Sequence, residues 1–102
     1  MSKRYLLIKL VAEQPTRRLS FETTLLDSVR KSFGDFGVAR INPRLIRFDT
    51  AKSLAVVACS REGVRDLQVA IAMITGTSDS AMTALTLHVS GTIKGLSKKQ
   101  RF

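Results

Sequence analysis

Residues 4–12, RYLLIKLVA, place the tightest limit on the fold. Side chains alternate across a strand, so Leu6, Ile8 and Leu10 share one face and Tyr5, Leu7, Lys9 and Val11 the other. Both faces are largely apolar. Such a strand belongs in the centre of a sheet, and the rest of the chain must supply its neighbours.

Gln14-Pro15-Thr16-Arg17-Arg18 reads as a loop, after which Ser20 is suited to cap a helix, with Glu22 near its positive end. Phe21, Leu25, Val29 and Phe33 then recur every fourth residue, the stripe of a helix about thirteen residues long. Gly34 is its expected stop and Gly37 a second break. The stretch Val38–Asp49 reads as extended but interrupted, because Asn42-Pro43 cannot lie within a paired central strand. Leu54–Cys59 is a buried strand, and Ser60 is suited to cap a helix running from about Arg61 to Ile74. Residues 82–93 form the last strand, with Leu85, Leu87 and Val89 on one face and Thr86, His88 and Ser90 on the other.

The order strand, helix, strand, strand, helix, strand predicts an α+β, ferredoxin-like sandwich. Its four-stranded antiparallel sheet would carry both helices on one face. Residues 1–96 form one domain in this reading, and residues 97–102 a basic tail that does not pack. The open sheet face would hold Tyr5, Leu7, Val11 and Val57. So apolar a face, with so short a tail to cover it, suggests a protein partner.

Charge narrows the function. Seventeen Lys and Arg against eight Asp and Glu give a net +9, which favours a polyanionic partner, nucleic acid before membrane. No apolar run approaches the roughly 20 residues of a membrane helix. Lys9 interrupts the apolar start, unlike a secretory signal. The single cysteine, Cys59, excludes an intrachain disulfide and a multi-cysteine zinc site, and a reducing, cytoplasmic setting is expected. No set of acids, His88 or Cys59 forms a catalytic constellation. The strand LAVVAC has no aromatic residue, so the sheet is not an RNA-stacking platform of the kind RNA-recognition domains use. The candidate RNA contacts are Lys3, Arg4, Arg40, Arg44, Arg47, Lys94, Lys98, Lys99 and Arg101. Ser90-Gly91-Thr92-Ile93-Lys94-Gly95 is a weak phosphate-loop pattern, with no clear helix beyond it.

Thr86-Leu87-His88-Val89-Ser90-Gly91-Thr92-Ile93-Lys94 closely resembles the closing signature of the ribonuclease P protein component 2 family. Lys3-Arg4-Tyr5-Leu6, Ile46-Arg47-Phe48 and Cys59-Ser60-Arg61 agree with it in kind and order. The resemblance covers about residues 3–94. Many relatives carry a further C-terminal extension, whereas this sequence stops at Phe102. The resemblance implies a non-catalytic RNA-binding subunit of ribonuclease P that supports the catalytic domain of the RNA subunit as it frees the 5′ end of transfer RNA. It implies Mg2+ at the RNA active site and none bound by this chain. The implied partners are ribonuclease P RNA, protein component 3 and other protein subunits, with precursor tRNA as substrate of the complex. A homodimer within a two-plus-two assembly is one implied arrangement. The competing readings are an acylphosphatase-type enzyme, which would need Asn42 near a phosphate loop, and a basic ribosome-associated protein.

Overall fold

Strand β1 (Lys3–Ala12) is apolar on both faces because it lies in the interior of a four-stranded sheet, flanked by β3 (Leu54–Ser60) and β4 (Met82–Ser90). With β2 (Arg44–Asp49) the order is β2-β3-β1-β4, and every neighbouring pair is antiparallel. The computed structural model describes residues 2–99, apart from the side chains of 97–99. Helix α1 (Arg18–Ile41) and helix α2 (Val64–Ala72) cover one face of the sheet. The core between them holds Leu6, Ile8 and Leu10 from β1, Phe21, Leu25 and Val29 from α1, and Leu67 and Ile71 from α2, all essentially shielded from water. This is the expected α+β sandwich.

Several local expectations are corrected. Helix α1 begins two residues before Ser20, after Arg17, and Ser20 is buried inside it, 3.3 Å from the Ser78 hydroxyl. The expected second break at Gly37 is helical, while the expected stop at Gly34 is where the first leg of the helix ends. The Gly34 φ of 70° breaks the helical path at a conformation that costs glycine little, and helix resumes to Ile41. Residues 38–41 are therefore helical, not extended, and Ile41 is drawn into the core. Asn42 closes the helix in the left-handed conformation, its N–H donating to the Val38 carbonyl at 2.8 Å. Ser60 caps no helix with its side chain. Its hydroxyl donates to the Arg40 carbonyl at 2.7 Å, and a 3-10 turn over Arg61–Gly63 leads into the shorter α2.

The last strand ends at Ser90, and a third helix, α3 (Ile93–Lys99), follows. The boundary expected at residue 97 falls inside it. Thr92 starts this helix, its hydroxyl accepting from the Gly95 N–H at 2.9 Å. A Cβ on Gly95 would come within 2.3 Å of the Ser90 hydroxyl, so any larger residue there would have to displace that side chain. Helix α3 lies on the sheet face that α1 and α2 leave open. Its Leu96 is fully buried against Leu7, Leu54 and Val56, with Tyr5 packed alongside. Covering this leucine stabilises by about 2 kcal/mol. The apolar face expected to need a partner is thus partly covered by the chain itself.

Two bulges decide which way side chains point. Ile46 is inserted between Leu45 and Arg47 on β2, and Leu87 between Thr86 and His88 on β4. Arg44 and Arg47, three residues apart, consequently face the same side, opposite Ala58 and Val56. Leu85 and His88 likewise share a face, opposite Lys9 and Leu7. The simple alternation expected for the last strand is broken at that point.

Candidate nucleic-acid interface

Four of the expected RNA-contacting cations are brought to one end of the sheet by the strand pairing. Strand β1 starts there with Lys3 opposite Ser60, the last residue of β3. Tyr5 pairs with Ala58 on one side and Ser90 on the other, so β2, opening at Arg44 opposite Ala58, starts at this end and β4 finishes here. Arg4 reaches the turn that follows, its Nη1 within 3.8 Å of where a Gly91 Cβ would stand. Lys94 comes next, exposed in the first turn of α3.

Helix α1 ends at the same place. The Ser60 hydroxyl holds the Arg40 carbonyl, and Arg40 donates from Nη2 to Asp66 Oδ2 at 2.6 Å, joining the end of α1 to the first turn of α2. Arg61 and Arg65, in the segment leading from β3 into α2, complete the group, and the Arg61 N–H donates to the Ser2 carbonyl. Lys3, Arg4, Arg40, Arg44, Arg61, Arg65 and Lys94 therefore converge from six separate elements, with Glu62 and Asp66 as the acids among them. Five of the seven stand out in the sequence. Arg61 and Arg65 do not, because two cations opening a helix oppose its dipole and read as ordinary surface. The position of Arg61 beside the start of β1, where its N–H donates to the Ser2 carbonyl, is a product of the tertiary fold.

Arg47 stands apart from this end, on the open face of β2 opposite Val56. Lys98 and Lys99 fall in the last turn of α3, with side chains outside the described residues, and Arg101 lies outside them altogether.

The expected partner face is divided. Tyr5, Leu7 and Val11 do lie on the face opposite α1 and α2, but Leu7 is buried and Tyr5 half-buried beneath α3, while Val11 is 52% exposed. Val57 is on the other side, fully buried in the core under α1 and α2 with its cross-strand partner Leu6. The residue of β3 that accompanies Leu7 is Val56.

Tyr5 is the aromatic residue of the open face, and Phe48 turns inward against Phe21 with ring centroids 5.9 Å apart. The sheet consequently offers no row of stacked aromatics. A different aromatic escapes the sequence reading. Phe36 stands 93% exposed on the second leg of α1, four residues before Arg40 and on the same helical face. It falls outside the apolar stripe, which is a faint signal that it is not part of the core.

Cys59 is buried on the core face at this end. Burial pushes its thiol up from the usual 9.0 to about 11, with the charge of Arg4 opposing the shift. Among the described residues no group of three or more His, Cys, Asp or Glu side chains could hold a metal ion. No described helix is long and apolar enough to cross a membrane.

The family model described as the Rpp14/Pop5 family matches residues 4–101. The chain is 32% identical over 96 residues to ribonuclease P protein component 2 of Thermococcus gammatolerans, covering 94% of this chain and 80% of that protein. The protein of the same name from Archaeoglobus fulgidus is 32% identical over 97 residues, covering 95% and 86%. A chain in the cryo-electron microscopy structure of yeast ribonuclease MRP shares the fold with a TM-score of 0.72 at 15% identity, over 89% of this chain and 75% of that one.

Proposed function

The chain belongs to the Rpp14/Pop5 family, and on that premise we propose that it is a protein subunit of ribonuclease P that holds RNA against the basic end of its sheet. The observation that carries this reading is the convergence of seven cations from six elements against two acids. A single exposed cation is ordinary surface. A convergent set concentrates positive potential where a phosphate backbone can displace counterions. Phosphate contact of this kind positions an RNA without reading its sequence, which suits a subunit that braces a fold.

In this reading the RNA subunit performs the hydrolysis of precursor tRNA, with Mg2+ at the RNA's own active site, and this chain supports the catalytic domain of that RNA. Protein component 3 and other protein subunits share the assembly, with a homodimer of this chain, two-plus-two with component 3, as one arrangement, in the cytoplasm. Asn42, which the acylphosphatase reading would place near a phosphate loop, is the left-handed residue closing α1.

The test is reconstitution of precursor tRNA cleavage with the full chain carrying Lys3→Ala, Arg44→Ala, Arg61→Ala and Lys94→Ala together. These exposed side chains make no core contact. RNA affinity should fall, and the log–log salt slope should shrink by about 3 in magnitude, at roughly 0.7–0.9 for each phosphate no longer neutralised. An unchanged slope would move the RNA surface elsewhere. Metal-dependent cleavage by the purified chain without RNA would overturn the non-catalytic role.

A further inference from the structure

Phe33 and Phe36 are three residues apart, neighbours on an unbroken helix, yet only Phe33 packs against the core. The break at Gly34 separates them. Beyond it Ile41 is drawn fully into the core, while Phe36 is left 93% exposed. Arg30 spans the break, its Nε donating to Asp35 Oδ1 at 3.2 Å and its Nη1 3.7 Å from Asp27 Oδ1. The leg that carries Phe36 is thus tied to the first leg by a side chain as well as by the backbone. Phe21 and Phe48 pack on each other, Phe33 lies against the core and Tyr5 beneath α3. Phe36 is therefore the one fully exposed aromatic ring among the described residues, and it adds almost nothing to the packing of the fold.

The surroundings of the ring select its occupant. A stable protein interface takes about 800 Å² from each partner and has an apolar centre. Along its own helix Phe36 is bordered by Ser32, Asp35, Ala39 and Arg40, all exposed, so it is a single ring among small, polar and charged neighbours. A nucleobase needs no more than that. It stacks on one face of a ring, and the backbone that carries it needs cations close by. Arg40 follows Phe36 by one turn on the same face, with about 5–6 Å between their Cβ atoms, and belongs to the basic end together with Arg61 and Arg65. Asp35 and Asp66 are each already paired, with Arg30 and Arg40.

We propose that Phe36 is the stacking platform for one unpaired base of the RNA whose backbone crosses the basic end of the sheet. The inference rests on that RNA reading and adds to it an uncharged contact, made to a base rather than to a phosphate. Stacking is thereby moved off the sheet, which has no row of aromatics, and onto the kinked end of α1.

The test uses the full chain with a single-stranded oligoadenylate of about 16 nucleotides and a blunt RNA duplex of the same length. Phe36→Ala should weaken oligoadenylate binding about five- to 150-fold, the worth of one base on a ring, and leave duplex binding within about twofold of the parent. The log–log salt slope should not move, because no phosphate contact is lost. Phe36→Tyr should keep the parent affinity, and Phe36→Leu, apolar but not planar, should fall with the alanine variant. The chain has no tryptophan, so Phe36→Trp introduces a single indole, whose emission oligoadenylate should quench and the duplex should not. Absence of oligoadenylate binding by the parent, parent-like binding by the alanine or the leucine variant, or an equal loss on the duplex overturns the proposal. So does indole emission that shifts as the chain is concentrated without RNA, which would put a second copy on the ring. The two readings fail separately: the four-alanine variant is judged by its salt slope, and Phe36→Ala by a loss of affinity at constant slope.

Discussion

Arg40 and Asp66 meet at 2.6 Å across the basic end of the sheet, so one of its cations is already engaged by an acid of the same chain. Their side chains are 48% and 30% exposed, which screens the pair and limits its worth to about 0–1 kcal/mol. The pair holds the Arg40 guanidinium to α2 and away from an approaching phosphate.

Asp66→Asn should therefore leave stability within about 1 kcal/mol of the parent while freeing Arg40. RNA binding should tighten, and its log–log salt slope should steepen by about 0.7–0.9, the equivalent of one phosphate contact. Titrations at several salt concentrations measure this. A slope that does not move would mean Arg40 faces no phosphate even when released.

Leu96 is the fully buried anchor that α3 places on the sheet. Leu96→Ala should remove the reason for the helix to dock, a loss of about 2–5 kcal/mol where the surroundings cannot close up. Because α3 is the last described element, the loss should appear as local opening rather than global unfolding. Amide exchange should speed up over Ile93–Lys99 and a dye specific for apolar surface should bind, while β1 and β3 keep their protection. Truncation after Leu96 should do the same, since four residues of α3 cannot sustain a helix. Unaltered exchange in α3 would show that something other than Leu96 holds it.

The Cys59 thiol should be neutral at pH 7 and slow to react with a disulfide reagent in the native chain, reacting fast once the chain is denatured. Burial raises its folded pKa to about 11, above the 9.0 of the unfolded chain. The unfolded chain consequently loses its thiol proton first as the solution turns alkaline, so this contribution to stability is full below pH 9 and is lost as pH rises toward 11. Denaturant midpoints for the parent and Cys59→Ala should converge over that interval. Rapid modification of the native thiol at pH 7 would contradict its burial.

Asp79 accepts from the Arg17 backbone N–H and from its Nε, each at 3.0 Å, tying the loop before β4 to the start of α1. The backbone hydrogen bond, with the arginine's own contributions, holds the carboxyl below the ordinary aspartate range. A depressed folded pKa means the stabilisation is present above the unfolded pKa and is lost as pH falls through the folded one. Asp79→Asn should remove that part of the acid dependence, leaving a flatter stability profile at low pH. An identical profile would mean the contact contributes nothing in solution.

The kinds of element and their order were legible in the sequence because each depends on local apolar periodicity. The two-residue alternation of Leu6, Ile8 and Leu10 and the four-residue recurrence of Phe21, Leu25 and Val29 record which face each element must bury. The family resemblance was also legible, carried most strongly by residues 86–94. Helix α3 left one readable trace, Thr92 followed three residues later by Gly95, but a single cap without an apolar stripe is a weak signal.

The candidate interface was legible only in part. Lys3, Arg4, Arg40, Arg44 and Lys94 stood out as excess charge, yet nothing local brings them together or adds Arg61 and Arg65. That depends on which strand ends lie side by side, set by the pairing of Lys3 with Ser60 and Tyr5 with Ser90. The two bulges belong to the same class. Whether Arg44 and Arg47 share a face is decided by the register of β2 on β3, and whether Leu85 joins His88 by the register of β4 on β1. A bulge is the accommodation of one strand to its neighbour, so its cause lies in residues far away along the chain. Val57 and Val56 show the same limit: both are buried, and only the register of β3 against β1 decides which of them sits beneath α3.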